Sequence, residues 1–210
     1  MENLWLGTKN GPRERILSTA NELFFRYGYS AIGINRLIEE SGVAKASFYY
    51  HFSTKESLAV TWLELRGEQW LQALQGRVDK ADSLTGKINA MYSMWHDQLQ
   101  DERWRGCGFI NTAAEFSDEN SAVRRVVRTH KMAVRDYIAK NVFQKYESEM
   151  SQADFDLLVD TVFSLFDGAI VQAQNLMDDL PLHNACKSSL LVIDSLLKKT
   201  DREGSRGLGA

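Results

Sequence analysis

An all-α protein is what this sequence predicts, on three observations. Apolar residues recur at intervals of three and four through most of the chain, the period of a helix buried on one face. The nearest approach to strand-like alternation, residues 27–34, is broken by Gly28 and Gly33 and runs straight into a helical pattern. With 44% hydrophobic residues, five tryptophans and only two prolines in 210 residues, the chain has the material for a packed core and little that favours disorder.

The first helix opens at Pro12, where the missing N–H would have no partner in any case. Ile16, Leu17, Ala20, Leu23, Phe24 and Tyr27 form its expected buried face, and Gly28 ends it. A second helix is expected over 33–40 with Ile34, Leu37 and Ile38 inward, followed by a turn at Ser41-Gly42 and a third helix over 45–50. Ser53-Thr54-Lys55-Glu56 reads as a capping box, Ser and Glu three apart, opening a long helix that reaches Val78. Five more helices, about nine in all, are expected over 84–100, 109–116, 121–146, 154–177 and 183–199. Their connectors are 79–83, Gly106-Cys107-Gly108, 117–120 and 178–181. Residues 201–210 hold three glycines and little to bury, and a disordered tail is expected there.

Composition removes several function classes. The longest uncharged stretch, 168–177, is far shorter than the roughly 18–20 apolar residues needed to span a bilayer, so no transmembrane helix is expected. The start, Met1-Glu2-Asn3, has no basic region leading into an apolar core, so no signal peptide is expected. Two cysteines, Cys107 and Cys186, make no disulfide framework, and a cytoplasmic location follows as the expectation. The net charge of −3 is uneven: residues 1–55 carry seven Lys/Arg against five Asp/Glu, the remainder 18 against 23. A mildly basic first quarter on an acidic body permits a nucleic-acid partner approaching from that end.

Two short helices joined by a Gly-containing turn and held by a preceding helix form a helix-turn-helix unit. The second of them, Lys45-Ala46-Ser47-Phe48-Tyr49-Tyr50-His51-Phe52, offers what a major groove accepts: small residues for close approach, a lysine, a serine hydroxyl and phenols that reach the backbone. The bare pattern also fits an ordinary three-helix core. The run from Ser41 through Leu58, Ser-Gly-Val-Ala-Lys-Ala-Ser-Phe-Tyr-Tyr-His-Phe-Ser-Thr-Lys-Glu-Ser-Leu, closely resembles the DNA-binding domain of the TetR family of bacterial transcriptional regulators, and the resemblance covers about residues 12–60. It implies that Lys45, Ala46, Ser47 and Tyr49 face base edges or adjacent phosphates, that Asn35 is a further contact, and that Tyr50, His51 and Lys55 touch the backbone, with Phe48 and Phe52 inward. The sequence departs from the family where Ala44 and Ile32-Gly33 replace hydroxyl caps of the third and second helices, which predicts a somewhat looser reading head.

Beyond residue 60 the resemblance is one of layout. It implies residues 1–53 as a DNA-binding domain, 54–200 as an effector-binding and dimerisation domain, and a homodimer through the last two helices, whose apolar residues spread over more than one face. Trp62, Arg66 and Trp70 share one helical face, and with Trp95, Leu99, Phe109, Phe116, Phe163, Phe166 and Asp167 they form the expected effector pocket, though aromatic stripes also build plain cores. Arg66 and Asp167 stand out, because a charge facing a core needs a partner or ligand. Cys107, near Arg103 and Arg105 and ahead of a helix start, sits in a setting that makes thiols reactive, or else it is a small residue in a tight turn. His51, His96, His130 and His183 show no metal-ligand spacing, and no phosphate loop is present, so neither metal nor cofactor is expected and an enzyme is disfavoured. The expectation is a ligand-responsive repressor binding a pseudo-palindromic DNA operator as a dimer and released by a small-molecule effector. The alternatives are a redox or electrophile sensor acting through Cys107 and an all-α enzyme.

Overall fold

The computed structural model describes the backbone of residues 11–101 and 104–207, and within these the side chains of 11–100 and 104–198. All secondary structure among the described residues is helical, as expected. In order it comprises α1 (Pro12–Tyr27), α2 (Ile34–Ser41), α3 (Lys45–His51), α4 (Lys55–Val78), α5 (Leu84–Asp101), α6 (Gly108–Ala114), α7 (Ala122–Tyr137), α8 (Gln152–Leu176) and α9 (Leu180–Gly207). Short π and 3-10 turns follow α7 at Ile138–Val142 and Gln144–Tyr146. No helix among the described residues is long and apolar enough to cross a membrane. The chain divides into two compact units, one running to Gln72 and including Cys107–Lys131, the other made of Ala73–Gly106 and the residues from Met132 onward. The first of the boundaries between these compact units, at Gln72 and Ala73, falls within helix α4.

In the first unit, α1 buries Ile16, Leu17, Ala20, Leu23 and Phe24 against α2 and α3. Tyr27, expected with them, is 43% exposed. Its ring is held instead by the guanidinium groups of Arg26 and Arg36, 5.2 and 4.7 Å from its centroid, and a cation over a phenol face is stable in solvent. In α2 only Leu37 is fully buried among the expected inward residues, Ile34 and Ile38 being half-buried. Gly42 turns the chain in the left-handed region at φ 62°, a conformation a side chain would strain. The predicted absence of side-chain caps holds at both Gly33 and Ala44. The capping box of α4 lies one residue later than expected: Ser57 N–H donates to Thr54 Oγ1 at 3.0 Å and Thr54 N–H donates to Ser57 Oγ at 3.2 Å. Two short hydroxyl side chains complete the reciprocal pair that Ser53 and Glu56 were expected to form.

In the second unit α9 packs against both α8 and α5. Ser151 caps α8, accepting from Asp154 N–H, so the helix starts at Gln152 rather than 154. Asp178 Oδ1 accepts Leu180 N–H at 2.9 Å, which lets α9 begin at Leu180 with Pro181 in its first turn, ahead of the expected start at 183. The same helix continues to Gly207, across most of the segment expected as a disordered tail; residues 208–210 lie outside the described residues. Extending an existing helix fixes one residue per added hydrogen bond, a smaller demand than nucleating one. The single helix expected over 121–146 is broken. Ile138, Val142 and Phe143 are all buried, and Phe143 N–H donates to Ile138 O at 3.1 Å. That i to i+5 turn brings two large side chains five residues apart onto one face, which a regular α-helix does not do.

Candidate functional site

The helix-turn-helix presents two unlike faces. Phe48, fully buried, and Phe52 anchor α3 from below, as expected. Asn35, Lys45, Ala46, Tyr49 and Tyr50 are exposed, Tyr50 by 85%, while Ser47 and His51 are half-buried. Tyr49 stands edge-on to Phe48 with centroids 5.5 Å apart, and Tyr50 edge-on to His51 at 5.1 Å, so both phenols are oriented by neighbouring rings. The outer face of α3 is thus an array of an ammonium, a hydroxyl, phenols and an imidazole, exposed or half-buried among the described residues.

Lys55, expected at a DNA phosphate, is engaged elsewhere. Its Nζ donates to Tyr29 O at 3.1 Å and Ile32 O at 3.0 Å and lies 3.9 Å from the centroid of the Tyr29 ring. Burial in that loop holds its pKa below the ordinary lysine value, with Glu115 opposing the shift. Glu115, which the sequence did not single out, clamps the same loop: its carboxylate accepts Tyr29 N–H at 2.9 Å and Ser30 N–H at 2.7 Å. Phe116 packs its ring 4.8 Å from that of Tyr29. The loop between α1 and α2 is therefore fixed by Lys55 at the start of α4 and by Glu115 at the end of α6. Burial, then Glu56 and Glu115, raises the Tyr29 pKa.

The expected effector residues divide between the units, and each set is built separately. In the first unit, Trp62 Nε1 and Arg66 Nη1 both donate to Asn21 Oδ1, at 2.9 and 3.2 Å. Arg66, only 3% exposed, stacks its guanidinium 4.2 Å from the Phe25 centroid. Trp70 stands edge-on to His130 at 5.6 Å, and Phe109 lies flat on the same imidazole at 3.6 Å and 12°. Gly67 makes room for this stack, since a Cβ there would meet His130 Nδ1 at 3.0 Å and Phe109 Cζ at 3.4 Å. His130 is the member that sequence reading missed. Burial, reinforced by Lys131 and Arg66, pushes its pKa down to about 3, so the ring is neutral. Phe116 meets Tyr29, and the ring contacts run on from Tyr29 to Phe24 at 5.3 Å and from Phe24 to Trp62 at 5.4 Å.

In the second unit Trp95, Leu99 and Phe166 are buried, and Phe163 and Asp167 half-buried. Phe166 meets Tyr92 edge-on at 5.2 Å, and the Tyr92 hydroxyl shares a 2.8 Å hydrogen bond with fully buried Ser189, burial pushing its pKa up to about 12. A groove of about 530 Å³ runs between α8 and α9, with Leu165, Gly168, Ala169, Leu180, Ala185 and Ser188 among its walls; none of the expected effector residues lines it.

Cys107 is 4% exposed, occupies the N-cap position of α6 without a side-chain cap bond, and has Lys131 Nζ 3.9 Å from its sulfur. Arg103 lies outside the described residues. Cys186 donates to Asn89 Oδ1 at 3.2 Å, and burial raises its pKa. The four histidines, read as scattered, are not all so: His96 and His183, on different helices, have rings 5.9 Å apart with Asp179 against both. The legible part of that signal was the four-residue spacing of Asp179 and His183 at a helix start.

An exposed, donor-rich recognition helix seated on an aromatic anchor after a glycine turn defines a DNA-binding protein of the helix-turn-helix class. Comparison with known proteins narrows the class. The model described as bacterial regulatory proteins, tetR family, matches residues 16–60, and a Tetracyclin repressor-like, C-terminal domain model matches residues 85–189, by itself half of the chain. The chain belongs to the TetR family and is a DNA-binding transcriptional regulator. The repressor NemR of Escherichia coli is 28% identical over 119 residues, 56% of this chain and 60% of NemR. The regulator LmrA of Bacillus subtilis is 53% identical over 49 residues, 23% of this chain and 26% of LmrA. Among solved structures, a TetR-family regulator from Streptomyces coelicolor shares the fold with a TM-score of 0.73 at 24% identity, covering 94% of this chain and 99% of that one.

Proposed function

We propose that this regulator is a homodimeric, ligand-responsive repressor. Residues 1–53 form its reading head, and residues 54–200 bind the effector and dimerise. The observation that carries the reading is the outer face of α3, where Lys45, Ala46, Ser47, Tyr49, Tyr50 and His51, with Asn35 on α2, stand clear of the core. Two such helices related by a two-fold axis address half-sites about one DNA turn apart, hence a pseudo-palindromic operator. Leu157, Leu176, Leu180 and Leu191, each more than half exposed on α8 and α9, support pairing through these two helices. The cluster of Trp62, Arg66, Trp70, Phe109 and His130 suits an effector with a flat ring and a hydrogen-bond acceptor, the ring stacking and Arg66 supplying the donor. Glu115 and Phe116, at the end of α6, touch the loop that leads into α2, so an effector that shifts α6 would disturb the reading head directly. Effector and operator then weaken each other by one common factor. The reading places the protein in the cytoplasm with its DNA and assigns it no catalytic step.

Selection of bound sequences from a random duplex pool at about 150 mM salt, where non-specific phosphate attraction is weakened, tests the reading. A palindrome is expected; a folded protein that enriches nothing, or a single half-site, would overturn it. A second reading rests on the 3.9 Å approach of Lys131 Nζ to the Cys107 sulfur, which puts a cation beside an atom that an electrophile or oxidant could modify. Under it, Cys107→Ser binds the operator normally but no longer releases it on treatment with an electrophile. Release that persists in the variant assigns the trigger to the aromatic cluster.

A further inference from the structure

We infer that the second unit holds a binding site for a divalent transition-metal ion of the Zn²⁺ type, formed by His96 of α5, Asp179 of the α8–α9 turn and His183 of α9. One ligand atom from each of the three lies within 4.8 Å of the others. His96 Nδ1 is 2.9 Å and His183 Nε2 is 3.6 Å from Asp179 Oδ2. Tetrahedral coordination at about 2.0–2.1 Å sets neighbouring ligand atoms about 3.3 Å apart, so both measured edges lie within about half an ångström of the required length. The imidazole-carboxylate donor set suits Zn²⁺, and equally Co²⁺ or Ni²⁺.

A further observation separates this cluster from an ordinary surface ion pair. His96 Nδ1 is buried and, although 2.9 Å from the Asp179 oxygen, makes no hydrogen bond. The two atoms are close without being aimed at each other, as ligands directed at a shared third centre are. The other nitrogen of the same ring, Nε2, is 3.3 Å from the Gln100 side-chain amide, one turn along α5. The Gln100 amide nitrogen donates to the Nε2 lone pair, so the ring N–H is Nδ1, the unpartnered atom that faces the cluster. His183, with its side chain 62% exposed, closes the third edge by rotating its ring, and the side left open to solvent leaves a coordination position for water. An ion there would tie α5 to the turn and first residues of α9 through bonds that neither helix supplies alone.

The test uses untagged, chelator-treated full-length protein. Zn²⁺ is titrated in competition with a chromophoric chelator, and Co²⁺ is added separately to read its visible absorption bands. One ion per chain is expected, with Co²⁺ bands of a low-coordinate nitrogen-oxygen site. His183→Gln alters an exposed side chain and is checked for native helicity; it should weaken Zn²⁺ binding by about tenfold or more and bleach the Co²⁺ bands. Absence of stoichiometric uptake, or an affinity unchanged in His183→Gln, would overturn the site.

Discussion

The buried imidazole of His130 makes the stability of this protein depend on pH in a calculable way. Its pKa is about 3 in the folded chain and near the ordinary 6.5 when unfolded. Above pH 6.5 both states hold the ring neutral and the group has no effect. As pH falls below 6.5 the unfolded chain takes up a proton that the folded chain refuses, so stability is lost steadily until the folded ring itself titrates near pH 3. Between pH 7 and pH 5 the loss follows about 1.4 kcal/mol per pH unit over roughly one and a half units, or about 2 kcal/mol. The result at pH 5 is insensitive to the folded value, provided that it lies below about 4. Urea unfolding of the parent and of His130→Gln at both pH values isolates the effect, because every other titrating group is common to the two. The variant is expected to be less stable throughout, having lost the stack with Phe109 and Trp70, but the parent should lose about 2 kcal/mol more than the variant between pH 7 and pH 5. Equal losses would refute the assignment of a neutral, desolvated ring.

Substitutions at three residues test the reading head and the loop it rests on. Lys45→Ala should leave the unfolding midpoint unchanged, weaken binding to all duplexes alike and reduce the salt slope by about one unit. Lys55→Met should do the opposite, costing about 1–2 kcal/mol of stability through the lost bonds to Tyr29 O and Ile32 O while leaving the salt slope alone. A reduced slope with unchanged stability would return Lys55 to a phosphate. Glu115→Ala, which leaves the amides of Tyr29 and Ser30 to water, should lower stability by about 1–2 kcal/mol and speed hydrogen exchange at those two positions. Glu115→Gln, retaining one acceptor, should fall between.

The features legible in the sequence were those carried by neighbours along the chain. Pro12 and Gly28 bound α1 as expected, the glycine turn was visible in the sequence, the Phe48 anchor was implied by the family resemblance, and the missing caps at Gly33 and Ala44 were visible as residue types. What escaped was set by partners far away in sequence. Tyr27 is apolar enough to be assigned to the core, and only the fold reveals two arginines over its ring. Glu115 drew no expectation and Lys55 was expected only at DNA, and their bonds to the α1–α2 loop appear once the fold places it beside them. His130 and the pair His96 and His183 carry no local spacing that announces a stack or a cluster. The contact of Phe116 with Tyr29 of the α1–α2 loop was likewise set by a residue far away in sequence.

The π turn at Ile138–Val142 has a consequence for how such chains diverge. Such a turn is one residue inserted into a helix, and the burial of Ile138, Val142 and Phe143 is what holds the insertion in place. Deleting one of residues 139–141 would set the flanking pair four apart and the middle one three from Ile138, keeping the apolar face in register through an unbroken α-helix. Gaps are usually tolerated in loops; here one is expected to be tolerated inside the buried helical turn that ends α7, and an alignment that forced it into the loop beyond would misplace every residue between.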